Sequence, residues 1–118
     1  MGTEADPHGK SQHDPGAKLD AGKPRAGLVL GSFARALLAV SEVGTVGAEK
    51  YSDDGWVHVP NGQARYTDAM LRHWLMEAAG ESRDHGTGLL HAAHFAWNAL
   101  ARLDLMLREA DRAEASSD

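Results

Sequence analysis

Residues 89–112 read LLHAAHFAWNALARLDLMLREADR. Leu90, Ala93, Trp97, Leu100, Leu103 and Leu107 recur at steps of three and four, the period of one helical face. Arg102, Arg108 and Arg112 lie on the more polar side and favour the C-terminal half of such a helix through its dipole. Three residues break the apolar pattern in a regular way. His91 and His94 are three apart, and Asn98 is seven past His91, so they form one polar stripe. A buried polar group left unpaired costs about 1–3 kcal/mol, so this stripe must meet partners. It is either a hydrogen-bonded helix–helix contact or part of a site.

Working outward, Ala64 to Ala79 form a second helix with Ala69, Met70, Trp74, Leu75 and Ala78 on its apolar side, and Gly80 is its natural stop. Asp68, Arg72, His73 and Glu77 are its polar set. Asp68 and Arg72 have the spacing of a surface ion pair. His73 and Glu77 have the spacing of an imidazole steered by a carboxylate. The next segment, ESRDHGTG (residues 81–88), reads as a polar loop carrying Glu81 and Asp84. A first helix is expected over 32–51, with Ser32 as N-cap and Phe33, Leu37, Val40 and Val43 as its stripe. Gly44 and Gly47 interrupt it, marking either a fraying end or a close approach of backbone or ligand. Residues 52–62 form a turn-rich loop around Trp56, a side chain that either anchors the core or stacks on a ligand. Residues 27–31, GLVLG, read as a short extended piece.

The expected fold is therefore all-α: a compact bundle of about three main helices (32–51, 64–79 and 89–112), completed by oligomerisation. Residues 1–26 are rich in Gly, Pro, Lys and Arg and poor in large apolar side chains, and read as a disordered N-terminal arm. Residues 27–112 are then a single helical domain and 113–118 a frayed tail. A lone core of this size is marginal, so a homo-oligomer is expected.

Bulk composition narrows the function. The chain has 118 residues, no cysteine and a net charge of −5. Thiolate and disulfide chemistry are excluded, and a cytoplasmic setting is expected. No apolar run approaches the ~20 residues of a membrane span. Acids and bases are intermixed, which argues against a duplex nucleic-acid partner. Glu42 and Glu49, seven apart, share one face of the first helix. Facing the histidine stripe, they can chelate a divalent cation. Carboxylates alone suit Mg²⁺ or Mn²⁺, and added imidazoles favour Mn²⁺ or Zn²⁺. No Walker loop, dinucleotide-binding glycine motif or His-Glu-x-x-His motif is present.

Taken in order, Gly22-Lys23-Pro24-Arg25, Gly47-Ala48-Glu49-Lys50-Tyr51, Trp56, Asp68-Ala69-Met70-Leu71-Arg72-His73, Gly80-Glu81, Asp84, Gly88 to His94 and Asn98-Ala99-Leu100 resemble the phage dATP/dGTP diphosphohydrolase-like family. The resemblance covers residues 22–103. It implies an all-α fold related to MazG-type pyrophosphohydrolases, which convert a nucleoside triphosphate to the monophosphate and pyrophosphate with Mg²⁺ or Mn²⁺ on helix carboxylates. Those enzymes carry a Glu-x-x-Asp pair where this chain has His91-x-x-His94.

The residues singled out for catalysis are Glu49, His73, Glu77 and His91. Lys50, Tyr51, Trp56, Arg72 and Asn98 are assigned to substrate binding. Glu49, Glu77, Glu81, Asp84, His91 and His94 are assigned to the metal. The alternatives are a nucleotide-sequestering protein that needs no metal and a structural helical protein whose polar stripe sets helix register.

Overall fold

A computed structural model describes residues 4–116, and the helices it contains are α1 (Ala26–Ser32), α2 (Ala34–Lys50), α3 (Gly62–Ala78) and α4 (His91–Ser116), with a 3₁₀ turn at Gly55–His58. Among the described residues there is no strand, only one isolated antiparallel bridge between Arg83 and Leu90. Contacts divide the chain into two compact units, with the boundary between Ala34 and Arg35. No single described helix is long and apolar enough to cross a membrane.

In the first unit, residues 4–25 hold neither helix nor strand. Their turns are organised by Asp6, whose carboxylate accepts the backbone N–H groups of His8 and Lys18, each at 2.7 Å. The Lys18 bond first, and the His8 and Lys10 bonds with it, hold this carboxyl below its ordinary range against the opposing effect of burial. The expected extended piece at 27–31 is instead helical: α1 covers it. Ser32 does not cap the following helix, because its hydroxyl donates back to the Leu28 carbonyl at 2.9 Å. The first expected helix, 32–51, is α2, which begins two residues later at Ala34, after the chain turns at Phe33.

In the second unit, α2 runs unbroken through both Gly44 and Gly47. Gly44 has the packing role: a Cβ there would stand 3.0 Å from the indole nitrogen of Trp97, whereas Gly47 has nothing within 4 Å. The turn signals between α2 and α3 act as such. Asp54 and Asn61 both adopt φ 55°, a left-handed conformation that Asp and Asn tolerate. Trp56, carried by the 3₁₀ turn, folds onto the core rather than standing free. It meets Tyr66 and Trp97 edge-on at centroid distances of 6.4 and 6.2 Å, and Tyr66 meets Trp97 at 5.6 Å. The Tyr66 hydroxyl donates to the Trp56 carbonyl at 2.7 Å, and Arg108 lies over the Trp56 ring.

The helices α3 and α4 pack antiparallel. Gln63 at the start of α3 donates to Glu109 late in α4, while His73 late in α3 meets His91 at the start of α4. Val43, Ala93, Ala101 and Leu105 are the buried apolar residues. The last helix extends to Ser116, past the tail expected from 113; residues 117 and 118 lie outside the described range.

Candidate metal centre

Two local stops place the site. Helix α3 ends as Gly80 predicts: its φ of 107° lets Gly80 N–H reach the Glu77 carbonyl and Glu81 N–H reach the Met76 carbonyl, both at 3.0 Å. This paired closure uses up orphan carbonyls and turns Glu81 back toward the bundle. The chain then returns through the bridge at Arg83 and Leu90. His91 N–H donates to the Ser82 carbonyl at 2.9 Å, which satisfies an otherwise unpaired group at the start of α4. The loop tip is tied by Asp84, whose Oδ2 accepts the Thr87 N–H at 2.9 Å and faces the Thr87 hydroxyl at 3.2 Å.

Three imidazoles converge there. His91 is fully buried and His94 nearly so. The Nδ1 atoms of His73 and His91 are 2.8 Å apart, so one carries a proton and the other a lone pair. His73 and His94 stack flat, 4.4 Å between centroids and 9° between planes. His73, Asp84 and His91 each present a ligand atom, and the three atoms lie within 4.8 Å of one another.

The proton positions follow from the hydrogen bonds. Burial pushes the Asp84 carboxyl up, but the two Thr87 bonds and the nearby imidazoles outweigh it and hold the group below the usual carboxylate range. An ionised carboxylate only accepts, so the Thr87 hydroxyl donates to it. Thr87 Oγ1 in turn accepts the Leu89 N–H at 3.2 Å and lies 2.7 Å from His94 Nε2. With its one proton already given to Asp84, it must accept from His94 as well. His94 is thereby fixed with its proton on Nε2 and a lone pair on Nδ1.

Burial lowers the pKa of both His73 and His94. For His73 the neighbouring His94 and His91 add to the effect, and for His94 the Asp84 charge opposes it. Both rings are thus held neutral, the form that ligates a metal. The remaining buried atoms fit the same chemistry. His91 Nε2 and Glu81 Oε1 are 3.2 Å apart, an ion-pair distance, yet neither of these buried atoms makes a hydrogen bond, and the same Glu81 oxygen lies 3.5 Å from His85 Nε2. A nitrogen and a carboxylate oxygen left in this state suit a cation nearby. The donor set fits a divalent metal on the residues present.

A pH consequence follows for the metal-free protein. Because His73 and His94 titrate below 6.5 in the folded chain, the unfolded chain binds more protons between the two values. Stability is therefore intact above about pH 6.5 and falls as the pH drops through that value. The melting temperature is expected to fall between pH 7 and pH 5. Calorimetry in the presence of a chelator measures it, and an unchanged melting temperature would contradict the neutral assignment.

The other sequence candidates fall into distinct places. His73, Asp84, His91 and His94 come together, with Glu81 behind His91. Glu77 is exposed and its carboxylate makes no hydrogen bond or ion pair among the described residues; the carboxylate beside an imidazole is instead Glu81, next to His91. Glu49 is likewise exposed and is not among the residues whose ligand atoms cluster. Glu42 borders a separate hollow with Arg83, Leu89 and Ala93. Lys50 lies over the ring of Tyr51, which is largely exposed. Arg72 is exposed and does not pair with Asp68. Asn98 is buried but donates its side-chain N–H to the His94 carbonyl at 2.8 Å, bracing the helix. Trp56 borders a cleft of about 290 Å³ with Val40, Gly44, Trp97 and Leu100, one turn along α4 from His94. Thr87 was missed. The signal was the string Asp84-His85-Gly86-Thr87, in which an aspartate precedes by three a residue able to return both an N–H and an O–H.

The class defined by these features is an all-helical protein with a His/Asp cluster capable of holding a metal at one end of an antiparallel helix pair. The family model described as dATP/dGTP diphosphohydrolase, N-terminal, matches residues 13–115, and the chain belongs to that family. No curated protein and no solved structure matches it.

Proposed function

We propose that this chain hydrolyses a purine deoxynucleoside triphosphate to the monophosphate and pyrophosphate, using a divalent cation held by His73, Asp84 and His91. The observation that carries the reading is the convergence of these three ligand atoms within 4.8 Å in a chain whose family is described by that activity. Two imidazoles and one carboxylate favour Mn²⁺ or Zn²⁺ over Mg²⁺. When bound, the ion supplies charge neutralisation at the phosphate oxygens.

The chain's own residues supply the rest. Thr87 fixes the His94 tautomer, which leaves Nδ1 free to accept a proton from the attacking water. Glu81 orients His91 from behind. Water attacks the α-phosphorus, the bond from that phosphorus to the bridging oxygen breaks, and the electron pair leaves on pyrophosphate. The cleft beside Trp56 and Trp97 offers apolar surface for the base, within the reach of a nucleotide whose phosphates lie at the imidazoles.

The test is pyrophosphate release from each deoxynucleoside triphosphate with Mn²⁺, Zn²⁺ or Mg²⁺. Release from dATP or dGTP that stops with chelator and with Asp84→Asn supports the reading. Tight nucleotide binding without release, indifferent to chelator, would overturn it in favour of a sequestering protein.

A further inference from the structure

Two aromatic rings, a free N–H and a hydroxyl meet in the cleft beside Trp56. Trp56 and Trp97 stand close to perpendicular there, 79° between planes. A flat ring stacked on the face of one is set edge-on to the other, and stacking on an aromatic side chain holds a base whatever its identity. At about 290 Å³ the cleft lies at the lower end of small-molecule sites, room for a base rather than for a whole nucleotide.

Two polar groups border it. The first is the indole N–H of Trp97. A packed Trp usually gives this proton to an acceptor, yet no described residue takes it. The nitrogen lies on the ring edge nearest Gly44, where a Cβ would stand 3.0 Å from Nε1 and 3.4 Å from Cδ1. The second is the hydroxyl of Ser41, one turn before Gly44 and on the same face of α2. It donates to the Leu37 carbonyl at 2.7 Å, a weak bond within the helix that leaves its lone pairs free and lets it turn outward. The cleft thus holds one fixed donor and one hydroxyl that can give or take.

One edge of a purine answers this pair. Adenine and guanine both carry the N7 acceptor, which pyrimidines lack. Beside N7, adenine has an amino donor and guanine a carbonyl acceptor. A fixed N–H suits what the two purines share, and a rotatable hydroxyl suits the position at which they differ. We propose that Trp97 Nε1–H donates to N7 of a purine stacked on Trp56 and that the Ser41 hydroxyl meets the adjoining amino or carbonyl group, so that the two residues select purines without choosing between them. This assignment rests on the function proposed above and names what reads the base.

Calorimetric titration of the full chain with dAMP, dGMP and their 7-deaza analogues in the presence of Mn²⁺ tests it. The analogues carry a C–H in place of N7, and monophosphates avoid turnover. Each analogue is expected to bind at least about tenfold more weakly than its parent. Trp97→Phe keeps an aromatic ring without the N–H, and in it parent and analogue are expected to bind alike, a loss of discrimination that a loosened fold does not produce. Ser41→Ala, at an exposed helical position, is expected to weaken dAMP and dGMP by a similar factor of about three to ten and to keep the discrimination against the analogues. Equal affinity of the wild type for parent and analogue, with pyrophosphate still released from dATP, overturns this inference and leaves the hydrolysis standing. Discrimination without any release sustains the inference and removes the hydrolysis. Discrimination that survives Trp97→Phe overturns the role of Trp97, unchanged affinities in Ser41→Ala overturn that of Ser41, and a wild type that binds neither purine overturns both.

Discussion

Replacing His91 by alanine is expected to weaken divalent-metal binding by more than about 100-fold and to lower the unfolding free energy by about 2–4 kcal/mol. The two losses have different origins. His91 is fully buried, and its ring is in contact with both His73 and Glu81. Removing it opens a cavity, deprives His73 Nδ1 of its partner, and takes from the buried Glu81 oxygen the nearer of the two imidazoles beside it. The metal loss follows because His91 is one of three groups whose ligand atoms meet. Calorimetric titration with Mn²⁺ or Zn²⁺ reads the first effect and urea unfolding reads the second. Metal affinity unchanged in a folded His91→Ala protein would remove the proposed centre.

Trp97→Ala is expected to cost about 3–5 kcal/mol, a large share of the roughly 5–15 kcal/mol typical of a whole domain. This indole touches every packed element of its unit. It meets Trp56 and Tyr66 edge-on and lies against Gly44 of α2. Its removal therefore loosens α2, the 3₁₀ turn and the α3–α4 pair together. Urea unfolding followed by far-ultraviolet circular dichroism measures the loss. A cost below about 1 kcal/mol would mean that the three rings are neighbours without being a core.

The helices were readable because periodicity is local. The stripe from Leu90 to Leu107, the stop at Gly80 and the shared face of His91 and His94 all depend on residues within a few turns of one another. The helical turn over residues 27–31 was not readable, since a serine ahead of an apolar run looks like a cap whether its hydroxyl turns forward or, as Ser32 does, back to Leu28. Partnerships between elements were hidden for a similar reason. Spacing gave His73 a carboxylate four residues on, at Glu77, but packing turned the ring toward α4, where His91 lies closer than any surface group. Glu49 was expected opposite the histidines because it shares a face with Glu42. In the fold Gly44 already lies against Trp97, one turn beyond His94, and Glu49 is more than a turn further along α2. Thr87 took its role from a loop closure that no periodicity encodes.

Every group of the centre lies between His73 and His94, within one helix end, one loop and one helix start. An ion bound there cross-links a short stretch of chain, so the entropy given up in closing it is small. Assembly of the centre and formation of the helical hairpin become one event, and whatever free energy the ion contributes is folding free energy of that hairpin. Lengthening the chain before α3 leaves this unit untouched. The candidate metal centre is in this sense portable: a single hairpin carries it, and α2 packs against that hairpin through Gly44 and Trp97.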